Sequence, residues 1–281
     1  MTSAIPVQRL ITGEALRRSR EGCGLPLGEA AAILKCDNSK VSRIETGQRG
    51  IRAEELHVLL DAYGVDTEIR DALTAIAGSR RTRGWWSGYG DVLAEARREY
   101  LQIEAAASAI DLYEVSQVPD LLQTAEYAFG LAEADLSLPE DADRARAVEA
   151  LQARQQEFWD GEQTLMVVIA EAALLQVVGG PAVMRSQLEY LADLAGSGRV
   201  LLHVLPFGAL GRPAPGLGSM SILHVGAAPG ITVVYLADAS GGHFLTSPEA
   251  TRTHYSTFEQ LRVYAHSTGR SAALLGELAA A

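Results

Sequence analysis

The sequence predicts an α+β protein of more than one unit: a five-helix head, a helical middle segment and a mixed α/β C-terminal part. Two observations carry this prediction. Apolar residues recur at helical spacing through residues 8–78 and again through 91–160, whereas four runs beyond residue 160 are rich in Val, Ile and Leu. Residues 79–90 (SRRTRGWWSGYG) break the periodicity and read as a linker. The expected organisation is a head over 1–78, the linker 79–90 and a body over 91–281, the body divided into a helical layer (91–160) and an α/β part (161–281).

In the head, the first helix is expected over 10–22, with Arg17, Arg18 and Glu21 on its polar face and Gly24 where a helix stop belongs. The second covers 27–34, with Leu27, Ala30, Ala31 and Leu34 on one stripe. Asp37 can cap the third, 38–45, which buries Val41 and Ile44 and ends at Gly47. The fourth and fifth are placed over 53–63 and 66–77. In the body, helices are expected at about 91–110, 120–134 and 139–159, the latter two starting at Pro119 and Pro139. Strands are expected at 164–170, 200–205, 219–225 and 231–237, with a helix at about 181–196 and a last one at about 247–266.

Composition narrows the function classes. A hydrophobic content of 48% is too high for a chain unable to bury a core. The apolar stretch 165–178 is broken by Glu171 and Gln176, short of the roughly 20 residues a bilayer demands, so no membrane span is expected. No basic region followed by an apolar run opens the chain, and the cytoplasm is the expected location. Cys23 and Cys36 are too few for a disulfide framework or a cysteine-rich metal site, and read as small buried hydrophobes or, if their Cα atoms come within about 6 Å, as a redox switch. The net charge of −11 argues against a protein that coats nucleic acid over its whole surface. Residues 1–52 nevertheless carry nine Lys/Arg against five acids, a local +4, while the chain beyond residue 83 carries −13. A basic head on an acidic body suggests one small anion-binding surface.

The most specific signal lies in residues 27–50 (LGEAAAILKCDNSKVSRIETGQRG). Two short helices joined by a tight turn, the second opening with small polar residues and then turning basic, form a helix-turn-helix suited to the major groove. Asn38, Ser39, Ser42 and Arg43 fall on the exposed edge of the second helix. Asn can bond adenine bidentately, Arg guanine, and Ser several base edges. Lys40, Gln48 and Arg49 are placed nearer phosphates, where they set register and salt dependence. Double-stranded DNA is the expected partner, read by a homodimer on two half-sites.

The stretch SKVSRIETG (39–47) resembles the recognition helix of Xre-type, lambda-repressor-like regulators. That resemblance implies a structural ion pair between an Arg late in the first helix and a Glu late in the recognition helix, matched here by Arg20 and Glu45. The sequence departs from the pattern at Lys35, where the turn usually holds Gly, and at Pro26, which replaces a hydroxyl cap. Further along, Trp85, Trp86, Glu104, residues 118–128 (VPDLLQTAEYA), Arg154, Gln155 and segments 169–174, 178–180, 184–188 and 204–207 are similar to the body of WhiJ-like actinobacterial regulators. This resemblance implies a transcription regulator whose body binds a partner, a small acidic protein encoded nearby, or a small ligand.

Candidate partner or ligand residues in the body are Trp85, Trp86, Glu171 and Arg212. Each also has a bland reading: the tryptophans dock the linker, Glu171 favours a helix N-terminus, and Arg212 is a solvated loop residue. His203 and His224 lack further ligands at zinc spacing and read as structural, so neither metal nor cofactor is expected. No phosphate-loop, dinucleotide, nucleophile-elbow or zinc-protease motif is present, and the chain is read as a non-enzyme. The alternative function is an antitoxin-like, protein-sequestering or ligand-binding body, with the head used for autoregulation.

Overall fold

Local sequence sets the helices of the head. In the computed structural model, which describes residues 5–79, 84–135, 137–138, 140–209, 216–228, 230–238 and 241–281, five helices follow one another. They are α1 (Val7–Gly22), α2 (Leu27–Ile33), α3 (Asn38–Glu45), α4 (Ala53–Ala62) and α5 (Thr67–Ser79). The apolar stripes converge on a core of Leu16, Ala30, Val41, Ile44, Leu56, Leu59, Leu60 and Leu73. Asp37 caps α3 by accepting the Lys40 amide at 2.9 Å. The turn between α2 and α3 keeps its left-handed residue although it is not glycine: Lys35 sits at φ 51°.

The body is an α/β unit, as the fold class requires. Its elements are α6 (Glu95–Glu104), β1 (Ala107–Glu114), α7 (Ala125–Ala134), α8 (Asp141–Asp160), β2 (Thr164–Ala170), α9 (Glu171–Leu175) and α10 (Pro181–Ser197). Then come β3 (Leu201–Leu205), β4 (Met220–Val225), β5 (Ile231–Leu236), β6 (His243–Leu245), α11 (Pro248–Tyr264) and α12 (Thr268–Ala280). The strands form one mixed sheet in the order β3-β2-β1-β4-β5-β6. β1, β2 and β3 run parallel, and β4, β5 and β6 pair antiparallel. Because side chains alternate along strands, one face sends Ile110, Leu112, Val167, Ile169, Leu202 and Leu223 into the main core with Phe158, Leu188 and Leu275. The other sends Tyr113, Val168, Ile222 and Val234 against Phe258 and Leu261 of α11.

Three expectations are corrected. The spacing predicts helix over 91–110, yet the helix ends at Glu104 and Ala107–Glu114 is the strand between β2 and β4. Alanines at 105–107 favour helix locally, but pairing on both sides decides the strand. The helix expected over 120–134 is instead a 3-10 turn (Asp120–Leu122) followed by α7, which Thr124 caps through the Tyr127 amide. Helix α12, capped by Ser267, and the short strand β6 follow no predicted element. The stretch read as a linker contains a packed 3-10 turn, Trp85–Tyr89, whose Trp86 is buried in the main core.

Head and body share that core. Val7 and Ile11 of α1 and Ala72 and Ile76 of α5 belong to the same buried cluster as the sheet. Gln8 of α1 donates to Gln102 of α6. The Glu99 carboxyl accepts the Val7 amide, although burial holds it above its usual range.

Candidate nucleic-acid interface

The recognition helix is built from two constraints. Its inner side is fixed by Val41 and Ile44, both fully buried, and by Glu45. Arg20 at the end of α1 grips Glu45 bidentately, Nε donating to Oε1 at 2.7 Å and Nη2 to Oε2 at 2.9 Å. Nη1 also donates to the Leu25 carbonyl at 2.9 Å. Both side chains are nearly inaccessible, 10% and 5% exposed. Removing one partner of such a pair strands a buried charge and typically costs about 3–5 kcal/mol, so its role is to hold α3 in one orientation. Close approach helps: a Cβ at Gly13 would fall 2.5 Å from the Ile44 carbonyl oxygen, so only glycine lets α1 cross α3 there.

The outer edge of α3 faces solvent. Asn38, Ser39, Ser42, Arg43, Gln48 and Arg49 are all exposed, while the body packs on α1 and α5. The edge has internal order. The Ser39 hydroxyl donates to Asp37, and Arg43 donates from Nε to the Ser39 carbonyl at 3.1 Å and from Nη2 to the Ser39 hydroxyl at 3.2 Å. The Ser39 hydroxyl and the Lys40 amide hold the Asp37 carboxyl below its ordinary range. Chemically, this edge offers an amide, two hydroxyls and a guanidinium in a groove-sized row.

Lys40 departs from its expected place near phosphate. Its Nζ donates to Glu55 of α4 at 2.6 Å, and the two side chains are only 15% and 12% exposed. Glu55 also accepts from Arg52 at 2.7 Å, and with both cations beside it its carboxyl is pushed down to about 2. Lys40 therefore fastens α3 to α4. Cys23 is exposed rather than buried and Cys36 half-buried, and both are free thiols. Cys23 follows the end of α1 at the surface, where its Sγ donates to the Arg20 carbonyl.

The body candidates separate. Trp86 is buried and Trp85 half-buried, in edge contact with each other at 5.9 Å. Arg146 lies 4.2 Å over the Tyr89 ring beside them. Glu171 accepts the Phe207 amide at 2.8 Å, which ties α9 to the turn after β3. Arg212, Arg80, Arg81, Arg83 and Pro139 lie outside the described residues. His203 bonds the His266 carbonyl at 2.9 Å and His224 bonds Asp111 at 2.8 Å. Among the described residues no group of three His, Cys, Asp or Glu could hold a metal ion, and no helix is long and apolar enough to cross a membrane.

Residue reasoning missed an ionic network of the body, with Glu104 and Arg154 buried and Asp120 and Arg97 half-buried. Arg154 donates to both oxygens of Glu104 (2.8 and 2.6 Å) and to Asp120 at 3.0 Å; Arg97 also donates to Asp120. Both guanidinium groups stand over the Tyr100 ring, at 5.0 and 5.5 Å. Glu104, Asp120 and Arg154 all fall inside the segments that carry the family resemblance, which is the one signal that could have grouped them.

Comparison with known proteins covers two separate stretches of the chain. Residues 12–73 match a helix-turn-helix domain. Residues 97–277, more than half the chain, match a family described as a domain of unknown function, DUF5753. No curated protein and no solved structure matches the chain. The head is thus a helix-turn-helix domain of the kind that serves DNA-binding regulation, and the chain belongs to the DUF5753 family.

Proposed function

We propose that this protein is a sequence-specific DNA-binding regulator of transcription, of the Xre type and akin to the WhiJ-like regulators. It acts as a homodimer without catalytic activity. The carrying observation is the exposed row Asn38, Ser39, Ser42 and Arg43 on a helix whose inner side is locked by the Arg20–Glu45 pair. In this reading the row enters the major groove, and Gln48 and Arg49 contact phosphates. Two copies read half-sites about 34 Å, one helical turn, apart. The body conveys a signal by binding a small acidic partner protein or a ligand better in one arrangement of the head than in the other.

Fluorescence anisotropy on fragments of the protein's own promoter tests the reading. Arg43→Ala is expected to weaken target binding by about 1–3 kcal/mol and to relax base preference at one position. Arg49→Ala is expected to weaken all DNA alike and to flatten the salt dependence. Unchanged affinity and preference in Arg43→Ala would refute the assignment.

A second reading, in which the body sequesters a partner and the head autoregulates, draws on exposed apolar side chains. Phe207, Val263, Val177 and Leu175 are 68%, 75%, 61% and 50% exposed. Capture of a small acidic protein by the full chain, with DNA affinity unmoved, would favour it.

A further inference from the structure

A cleft of about 920 Å³ separates α1 of the head from the sheet of the body. Its floor is one end of the sheet face on which α11 packs. There the apolar pattern stops. Asp111, His224 and Thr232 share that face with Tyr113, Ile222 and Val234, and form a polar row across β1, β4 and β5. His224 Nε2 lies 2.8 Å from Asp111 Oδ2, and Nδ1 lies 3.5 Å from Thr232 Oγ1. Tyr255 of α11 sets its ring edge-on to the imidazole, with centroids 5.8 Å apart. The row opens on the cleft, where His224 and Thr232 stay half-exposed.

The cleft is also charged in a particular way. Arg18 projects from the head and Arg252 from α11, both lining it. Among the described residues neither forms an ion pair. Glu14 lines the head side and Asp111 stands behind His224 in the floor, but among the described residues neither carboxylate pairs with either arginine, so both guanidinium groups are open to an anion. Ile69, Ile231 and Tyr255 add apolar wall. The volume falls within the roughly 300–1,000 Å³ of small-molecule sites, and apolar walls with few convergent polar groups are their usual lining.

We propose that this cleft binds an amphipathic organic monoanion, a carboxylate on an aromatic or branched apolar body, with its charge between Arg18 and Arg252 and its apolar part against Tyr255. The coupling half of the proposal rests on the reading of the body as the part that modulates DNA binding. An occupant touches α1 and the sheet at once, and α1 carries Arg20, which fixes α3. The junction beside the cleft is tight: a Cβ at Gly226, where φ is +78°, would meet Ala72 and the Glu68 carbonyl of α5 at 3.0 Å. A bound anion that favours one head–body spacing must therefore change DNA affinity.

The test uses the full chain and three probes: 1-naphthoate, benzoate and octanoate. Calorimetry is expected to show one site for at least one probe. Arg18→Ala and Arg252→Ala should each weaken it about tenfold, as loss of a charge-assisted contact does. Thr232→Trp, which fills the floor, should abolish it. Promoter affinity is expected to shift in wild type with the bound probe present and to stay fixed in Thr232→Trp. Absence of binding for all three probes, or binding indifferent to both arginines and to Thr232→Trp, overturns the site. Arginine-dependent binding that leaves promoter affinity unmoved keeps the site and overturns the coupling. Arginine-dependent binding by a chain that recognises no DNA would sink the regulator reading and leave the site standing.

Discussion

Lys35 closes α2 in a conformation that side chains disfavour. Its φ is 51°, and the Cys36 and Lys35 amides bond back to the carbonyls of Ala31 and Ala32 at 2.9 and 3.1 Å. This is the glycine-type helix stop, held here by a lysine. The left-handed position costs a side chain about 1 kcal/mol. Glycine removes that cost but gives the unfolded chain more freedom, so the net gain is smaller. Lys35→Gly is expected to stabilise the protein by no more than about 0.5 kcal/mol, read as a slightly higher urea midpoint at unchanged slope. A lower midpoint would mean that the lysine makes a compensating interaction. The same scale explains Lys40: a charge in the right sequence position for phosphate is diverted because Glu55 stands within 2.6 Å.

At the scale of elements, the head depends on how closely α1 and α3 cross. Helix propensity alone favours Ala over Gly by about 1 kcal/mol. A Cβ at position 13 would, however, meet the carbonyl oxygens of Ile44 and Glu45 at 2.5 and 2.7 Å, and backbone atoms cannot rotate away. The steric effect wins. Gly13→Ala is expected to destabilise the protein by about 1–3 kcal/mol, as overpacking does, and to weaken DNA binding by shifting α3. Thermal melting and anisotropy together check this; a Gly13→Ala variant as stable as wild type would show that the two helices part freely. The body has the same logic in its sheet. β1 has strands on both sides, so eight residues of Ala- and Glu-flanked sequence are strand because their neighbours require it.

For the whole molecule, the shared core of head and body makes stability a common property. One titrating group reports on it. Glu114, half-buried at the end of β1, has its carboxyl pushed up to about 7 by burial, with the Ser219 hydroxyl and the arginines Arg97 and Arg154 opposing. Below about pH 4.5 the group is protonated folded and unfolded alike. As pH rises from there to about 7, the unfolded chain ionises while the folded one resists, so stability falls through that window and stays lowered above it. Glu114→Gln removes this loss. Its stability relative to wild type is expected to grow by about 1–3 kcal/mol between pH 5 and pH 8, measured by chemical denaturation at both values. A constant difference across the range would place Glu114 in contact with water.

The head was legible because helices answer to neighbours three and four residues away. Periodicity placed all five of its helices within a few residues, with α3 at 38–45 and Asp37 as its cap, and motif position alone named Arg20 and Glu45. The α+β class was equally legible, since the shift from helical spacing to Val- and Ile-rich runs lies in the residues themselves. Tertiary structure decided what depends on distant chain. It made β1 a strand through hydrogen bonds to β2 and β4, turned Lys40 toward Glu55, joined Asp120 to the buried Glu104–Arg154 pair, and set α1 across a cleft from His224. Those outcomes follow from burial and pairing between segments far apart in sequence, which no local pattern encodes.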